Sequence, residues 1–190
     1  MEVKRVIAKM SKSLKNVVNP DDMISEYGTD ALRMYEMVLG DFRDSAPWEP
    51  TGIVGVRRFL DRVHTTFTEG KNLTKDEMKT MKLLHKTVKK VGEDIEDYKF
   101  NTAISSLMIL LNEGLPTDSE FQTEWKEKFA ILLHPFAPHM AEEIWNILGH
   151  KDSIYDAELP SYDEWMLIDD EVTIAVQVNG KLRGTFTFLN

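Results

Sequence analysis

From about Thr51 to Gly149, apolar side chains recur every three or four residues, and only short breaks rich in glycine, proline or polar side chains interrupt them. That interval matches the turn of an α-helix, so each run must bury one face against a neighbour. Ile53, Val56, Phe59, Leu60, Val63 and Phe67 form the first run, which Gly70 closes. Thr74-x-x-Glu77 has the form of a capping box, and behind it Met78, Met81, Leu84, Val88, Val91 and Ile95 predict a long helix to about Glu96. Asn101 is expected to cap a helix carrying Ile104, Leu107, Met108, Leu110 and Leu111, apolar on most sides and ended by Gly114 and Pro116. Thr117-x-x-Glu120 opens another, with Trp125, Phe129, Leu132 and Leu133 inward; after the break at 134–139 come Met140, Ile144, Trp145 and Leu148. Short connections favour antiparallel neighbours, so the fold class is mainly α, an antiparallel helical bundle.

Both flanks read differently. Asn19-Pro20 opens a helix with a capping side chain and a proline at the first helical position. Gly28 ends it, Thr29 starts a second helix through Leu32, Met34, Tyr35, Val38 and Leu39, and Pro47 and Pro50 stop helical structure around Trp48. Beyond Gly149 an acidic stretch leads to Val172, Ile174, Val176 and Val178, which alternate with Thr173, Ala175 and Gln177 in the period of a half-buried strand. Asn179-Gly180 signals a hairpin, and Leu182 to Phe188 supply the return strand. A lone hairpin is marginal in water, so it is expected to belong to a larger β-containing domain. The expected divisions are 1–47, 48–150, an acidic linker at 151–171, and 172–190.

Charge is distributed unevenly. The formal net charge of −9 argues against a polyanionic partner for the body as a whole, yet residues 1–19 hold five basic side chains against Glu2 alone. Residues 151–171 hold eight acids against Lys151, so a phosphate ligand should meet the early part of the chain. With no cysteine, disulfides and thiol chemistry are excluded. No stretch approaches the roughly 18 to 20 apolar residues of a membrane span, and lysines interrupt any signal-peptide core, so a cytoplasmic protein with no membrane partner is expected.

Lys9-Met10-Ser11-Lys12-Ser13 matches the KMSKS signature of class I aminoacyl-tRNA synthetases at every position, and the following LKNVVNP and the GTDALR at Gly28 to Arg33 resemble the continuation in that class. Two lysines three residues apart on a loop of small residues can reach one phosphate group, and two serines add neutral donors. Amino-acid activation drives negative charge onto a leaving pyrophosphate, which cations stabilise most in the transition state. The resemblance implies that Lys12, supported by Lys9, contacts ATP phosphates, and that Met10, Ser11 and Ser13 complete the ATP-binding loop. Magnesium is expected to accompany ATP. Leu14-Lys15 departs from the lysine-glycine of many members, so the turn is expected to depend on Asn16, which tolerates a left-handed conformation better than most residues.

Val176-Gln177-Val178-Asn179-Gly180-Lys181-Leu182-Arg183-Gly184 resembles a signature of leucyl-tRNA synthetases, where it opens the carboxyl-terminal domain. The string Gly52 to Leu60 resembles the first helix of the family's anticodon-binding domain. With the first motif, this order implies a segment of a leucine–tRNA ligase whose partners are tRNA(Leu), ATP and leucine, together with a catalytic domain bearing the HIGH motif that this sequence lacks. Candidate tRNA contacts are Arg57, Arg58 and Arg62, with Lys181 and Arg183 on the hairpin. Lys75, Lys79, Lys82, Lys86 and Lys89 form a helix-face stripe suited equally to phosphate or to plain solvent. His134 and His139 lack the partners of a metal site, and no bound metal is expected. Other readings left open are a free-standing helical RNA-binding module, a protein-binding scaffold, and a valyl, isoleucyl or methionyl enzyme.

Overall fold

A computed structural model describes residues 8–41, 43–168 and 171–189. Two short helices, α1 (Pro20–Tyr27) and α2 (Thr29–Val38), precede five more: α3 (Gly52–Glu69), α4 (Glu77–Glu96), α5 (Phe100–Glu113), α6 (Ser119–Leu133) and α7 (Pro138–Ile147). The strands β1 (Glu171–Val178) and β2 (Lys181–Leu189) follow. Asn19 caps α1, its side chain accepting from the Asp21 amide at 3.3 Å, and Gly28 breaks the chain at φ 91°. Every apolar position predicted for the inner face of α3 is buried, as are Trp125, Phe129, Leu132 and Leu133 of α6. Trp125 stacks on Phe129 at 4.8 Å between ring centroids, and Phe67 tilts against both. Each such fully buried side chain contributes about 1.5–3 kcal/mol of transfer free energy, which is why tertiary packing holds helices of this length.

The starts predicted for α4, α5 and α6 are displaced, whereas those of α1 and α2 fall where expected. Asp76, two residues after Thr74, caps α4 by accepting from the Lys79 amide at 3.0 Å. Asp118, one residue after Thr117, caps α6 by accepting from Glu120 and Phe121. An aspartate in this place both accepts an orphan amide and puts negative charge at the positive end of the helix. Glu77 therefore does not fold back in a capping box; its Oε1 accepts from the Thr117 and Asp118 amides, each at 3.0 Å, and joins the starts of α4 and α6. α5 begins at Phe100, ahead of Asn101, and Thr102 secures the turn by donating to Asp94 Oδ2 at 2.7 Å. Met78, expected inside, is 43% exposed, whereas Thr80 and Met81 just beyond it are the residues that turn inward.

The acidic stretch is a strap against the bundle. It carries two short helical turns, Ile154–Asp156 and Glu164–Leu167, that bury Ile154 and Met166. The Asp163 amide donates to His85 Nδ1 at 3.0 Å, Lys128 donates to the Ser161 carbonyl at 2.8 Å, and Glu142 accepts from Ser153 and Ile154. Acids outnumber bases along 151–171, yet the stretch is anchored by the buried pair Ile154 and Met166 together with these hydrogen bonds. After it, β1 and β2 pair antiparallel, with Ile174 opposite Phe186 and Val172 opposite Phe188. Asn179 and Gly180 both take positive φ, 52° and 74°, as the predicted two-residue turn requires.

Candidate nucleotide loop and nucleic-acid interface

The 9–16 loop has no helix or strand to shape it, so side chains do so. The Lys15 amide donates to the Lys12 carbonyl at 3.2 Å, closing a tight turn. Ser11 Oγ lies 3.2 Å from Ser13 Oγ and accepts from the Leu14 amide at 3.3 Å. Asn16 reaches back across the loop: its Oδ1 accepts from the Ser11 amide at 2.8 Å, and its Nδ2 donates to the Lys9 carbonyl at 3.3 Å. The left-handed residue is Lys15, at φ 52°, rather than Asn16. That conformation costs a residue with a Cβ about 1–2 kcal/mol, so the turn is held by its hydrogen bonds. Lys9 and Lys12 are exposed and make no ion pair with any described residue.

α1 and α2 connect this loop to the bundle through polar ties. Asp30, 7% exposed at the start of α2, accepts from the Met140 amide and from His139 Nδ1, each at 2.7 Å, and from the His139 amide at 3.4 Å. It thereby caps α7 from 109 residues away. Arg33 donates to the Pro135 carbonyl at 3.2 Å, and Tyr35 exchanges hydrogen bonds with Glu49 while its ring meets Trp48 edge-on. A cavity of about 300 Å³ lies at this junction, lined by Gly28, Asp30, Arg57, His139 and Glu143 among others.

The three arginines of α3 divide. Arg57 donates to Asp61 at 2.9 Å and to the Tyr27 carbonyl at 3.1 Å, so it ties α3 to α1. Arg58 and Arg62 are exposed and make no ion pair with a described residue. Along the lysine stripe, Lys79 is bonded to Glu113 at 2.7 Å, which raises its pKa above the ordinary lysine value, and Lys89 lies 4.0 Å from Glu93 and over the Tyr162 ring. Internal pairing thus takes up part of that stripe. On the hairpin, Lys181 and Arg183 are exposed; Arg183 falls at a bulge, where Val176 faces Gly184 and Gln177 faces Leu182. The candidates therefore sit on three separate elements, the loop, α3 and the hairpin.

Among the described residues, no group of three His, Cys, Asp or Glu side chains is placed to hold a metal ion. His139 serves Asp30, His134 meets Tyr155 edge-on, and His150 stacks on Trp145 with Glu127 at 3.0 Å. His85, buried in α4, was not singled out by its spacing. Burial, and then the charge of Lys128, lower its pKa, while Glu124 and Asp163 act in the opposite direction.

A KMSKS loop, a helix pair and a helical bundle follow one another along the chain, the order expected of a class I tRNA ligase. Residues 79–189 match the family described as the anticodon-binding domain of tRNA ligase, and residues 7–46 match the class I tRNA synthetases for I, L, M and V. The chain belongs to the anticodon-binding domain family of tRNA ligases. Within it, the chain is similar to leucine–tRNA ligases: it is 48% identical to that of Borrelia hermsii over 185 residues, 96% of this chain and 22% of the relative. The leucine–tRNA ligase of Leptospira biflexa is 48% identical over 184 residues, 94% of this chain and 21% of the relative. Among solved structures, the LeuRS of Agrobacterium radiobacter in a ternary complex with tRNA and LeuAMS superposes with a TM-score of 0.76 at 28% identity, covering 95% of this chain and 25% of that one. The chain spans about a fifth of the length of the curated relatives it matches, 22% in the first case.

Proposed function

We propose that this chain is the tRNA-facing segment of a cytoplasmic leucine–tRNA ligase, which activates leucine with ATP and transfers it to tRNA(Leu). The observation that carries this reading is similarity to leucine–tRNA ligases across 96% of the chain, with the Lys9–Ser13 motif intact. In the activation step the leucine carboxylate attacks the α-phosphate, a leucyl-adenylate forms, and pyrophosphate leaves. Lys12, with Lys9 beside it, offsets the charge that grows on the β and γ oxygens, and Ser11 and Ser13 keep the loop compact. The donors of this loop, ammonium and hydroxyl groups, suit phosphate oxygens and not a metal, so magnesium would arrive on the triphosphate and be held by groups elsewhere.

The bundle supplies sequence-independent contacts to the tRNA backbone through Arg58 and Arg62, with Lys181 and Arg183 as further contacts on the hairpin. The chain by itself is predicted to bind tRNA weakly and to catalyse nothing, since the leucine and adenine pockets belong to the remainder of the enzyme. The test is leucine-dependent exchange of pyrophosphate into ATP by the full-length protein that carries this chain. Exchange should be present, and Lys12→Ala should lower it about 10²- to 10³-fold, as for other preorganised anion contacts. Absence of exchange in the unmodified protein, or an unaffected Lys12→Ala variant, contradicts the proposal.

A further inference from the structure

We infer that Asn16 is a positioning residue for the ATP step: its side-chain amide fixes the backbone of the Lys9–Ser13 loop before nucleotide binds. The inference rests on the functional reading above and adds to it a residue that touches neither ATP nor leucine. Between Ala8 and Val18 the backbone forms neither helix nor strand, so no ladder sets its path. Asn16 substitutes for one. Its carboxamide presents an acceptor and a donor in one plane, and both are used on the opposite arm: Oδ1 takes the Ser11 amide at 2.8 Å and Nδ2 gives to the Lys9 carbonyl at 3.3 Å. These two groups flank Met10, so the pair restrains the peptide units on either side of the first half of the motif. The second half is closed by the Lys15 amide on the Lys12 carbonyl at 3.2 Å.

The left-handed backbone at Lys15 returns the chain toward Lys9, and Asn16 itself has no positive φ. A role for Asn16 as a conformationally tolerant turn residue is therefore excluded by the geometry, and its side chain is what the loop uses. Meanwhile Lys9 and Lys12 remain exposed and free of ion pairs with the described residues. A cation held in place before its anion arrives stabilises developing charge without reorganising, whereas a misplacement of about 1 Å can cost about 10²-fold in rate. From outside the motif, the Asn16 carboxamide holds the Lys9 carbonyl and the Ser11 amide, while the Lys15 amide holds the Lys12 carbonyl.

Two substitutions separate side chain from backbone. Asn16→Ala and Asn16→Gly both remove the carboxamide, and glycine keeps every backbone conformation open. In the full-length protein, both are expected to lower kcat/KM for ATP in leucine-dependent pyrophosphate exchange by about 10²-fold, with KM for leucine, tRNA affinity and the melting midpoint unchanged. A loss below threefold in Asn16→Gly overturns the inference, and so does a loss that appears equally in leucine KM or in tRNA affinity. If Lys12→Ala abolishes exchange while both Asn16 variants retain it, this inference fails and the functional reading stands. Hydrogen exchange at the Ser11 amide of the unliganded protein tests the brace without any activity: protection should be present and should vanish in Asn16→Ala. An unprotected Ser11 amide in the unmodified protein overturns the inference whether or not the protein is a ligase.

Discussion

Replacing Asp30 with alanine should loosen the junction between α2 and α7 more than any other single change to a polar side chain there. The carboxylate, 9% exposed as a side chain, accepts from the Met140 amide at 2.7 Å inside the first turn of α7. A hydrogen bond to a charged group contributes about 1.5–3 kcal/mol, and an acid at a helix N-terminus adds about 0.3–1 kcal/mol. The bond to His139 Nδ1 is as short, but that ring is 74% exposed, so solvent screens it and it contributes at most about 1 kcal/mol. The expected loss is about 3 kcal/mol, which in a chain of this size lowers the melting midpoint by about 6–12 °C. Asp30→Asn keeps an acceptor and loses the charge, and should cost about 1 kcal/mol. Melting followed by circular dichroism on the 190-residue chain measures both. A drop below about 3 °C for Asp30→Ala, or an equal drop for His139→Ala, would refute the assignment of the stabilisation to the Met140 amide.

Acidification should weaken the strap. The pKa of His85 is lowered in the folded chain, so the unfolded state binds more protons as pH falls below the ordinary value of 6.5, and stability declines from there down through the folded pKa. Urea midpoints measured from neutral pH to about 5 should show this decline, and it should flatten in His85→Gln. Gly114→Ala places a Cβ 2.5 Å from the Asn72 carbonyl at φ 101°, and should cost about 3 kcal/mol by urea denaturation. Gly70→Ala, at φ 61° with open space around it, should cost only about 1 kcal/mol. Arg57→Ala should lower stability by about 1 kcal/mol and leave tRNA binding intact, whereas Arg58→Gln with Arg62→Gln should leave stability within about 0.5 kcal/mol. The same pair should lower the salt dependence of tRNA binding by a slope of about 0.9 for each lost phosphate contact.

Helix existence and burial were legible because a three-to-four spacing leaves α3 only one way to bury Ile53 through Phe67, and all six are buried. Cap positions were less so, because Thr74 and Asp76 are both good caps and only the path of the incoming chain chooses between them. Long-range polar partners were invisible: nothing local couples Asp30 to His139 and Met140, or His85 to the Asp163 amide. The same holds for Lys79, whose stripe looked available until Glu113, 34 residues on, took it up. In the candidate site, the motif itself was readable, as was the break from pattern at Leu14-Lys15. The consequence was misplaced, since the left-handed strain fell on Lys15 and Asn16 turned out to work through its side chain.

Charging of tRNA(Leu) transcript by the full-length protein, with leucine, isoleucine, valine and methionine offered in parallel, weighs the whole proposal in one assay. Leucine should be esterified to the tRNA at a rate that depends on Lys12, with little charging by the other three. Equal or preferred charging of another amino acid, or none of any, would contradict it.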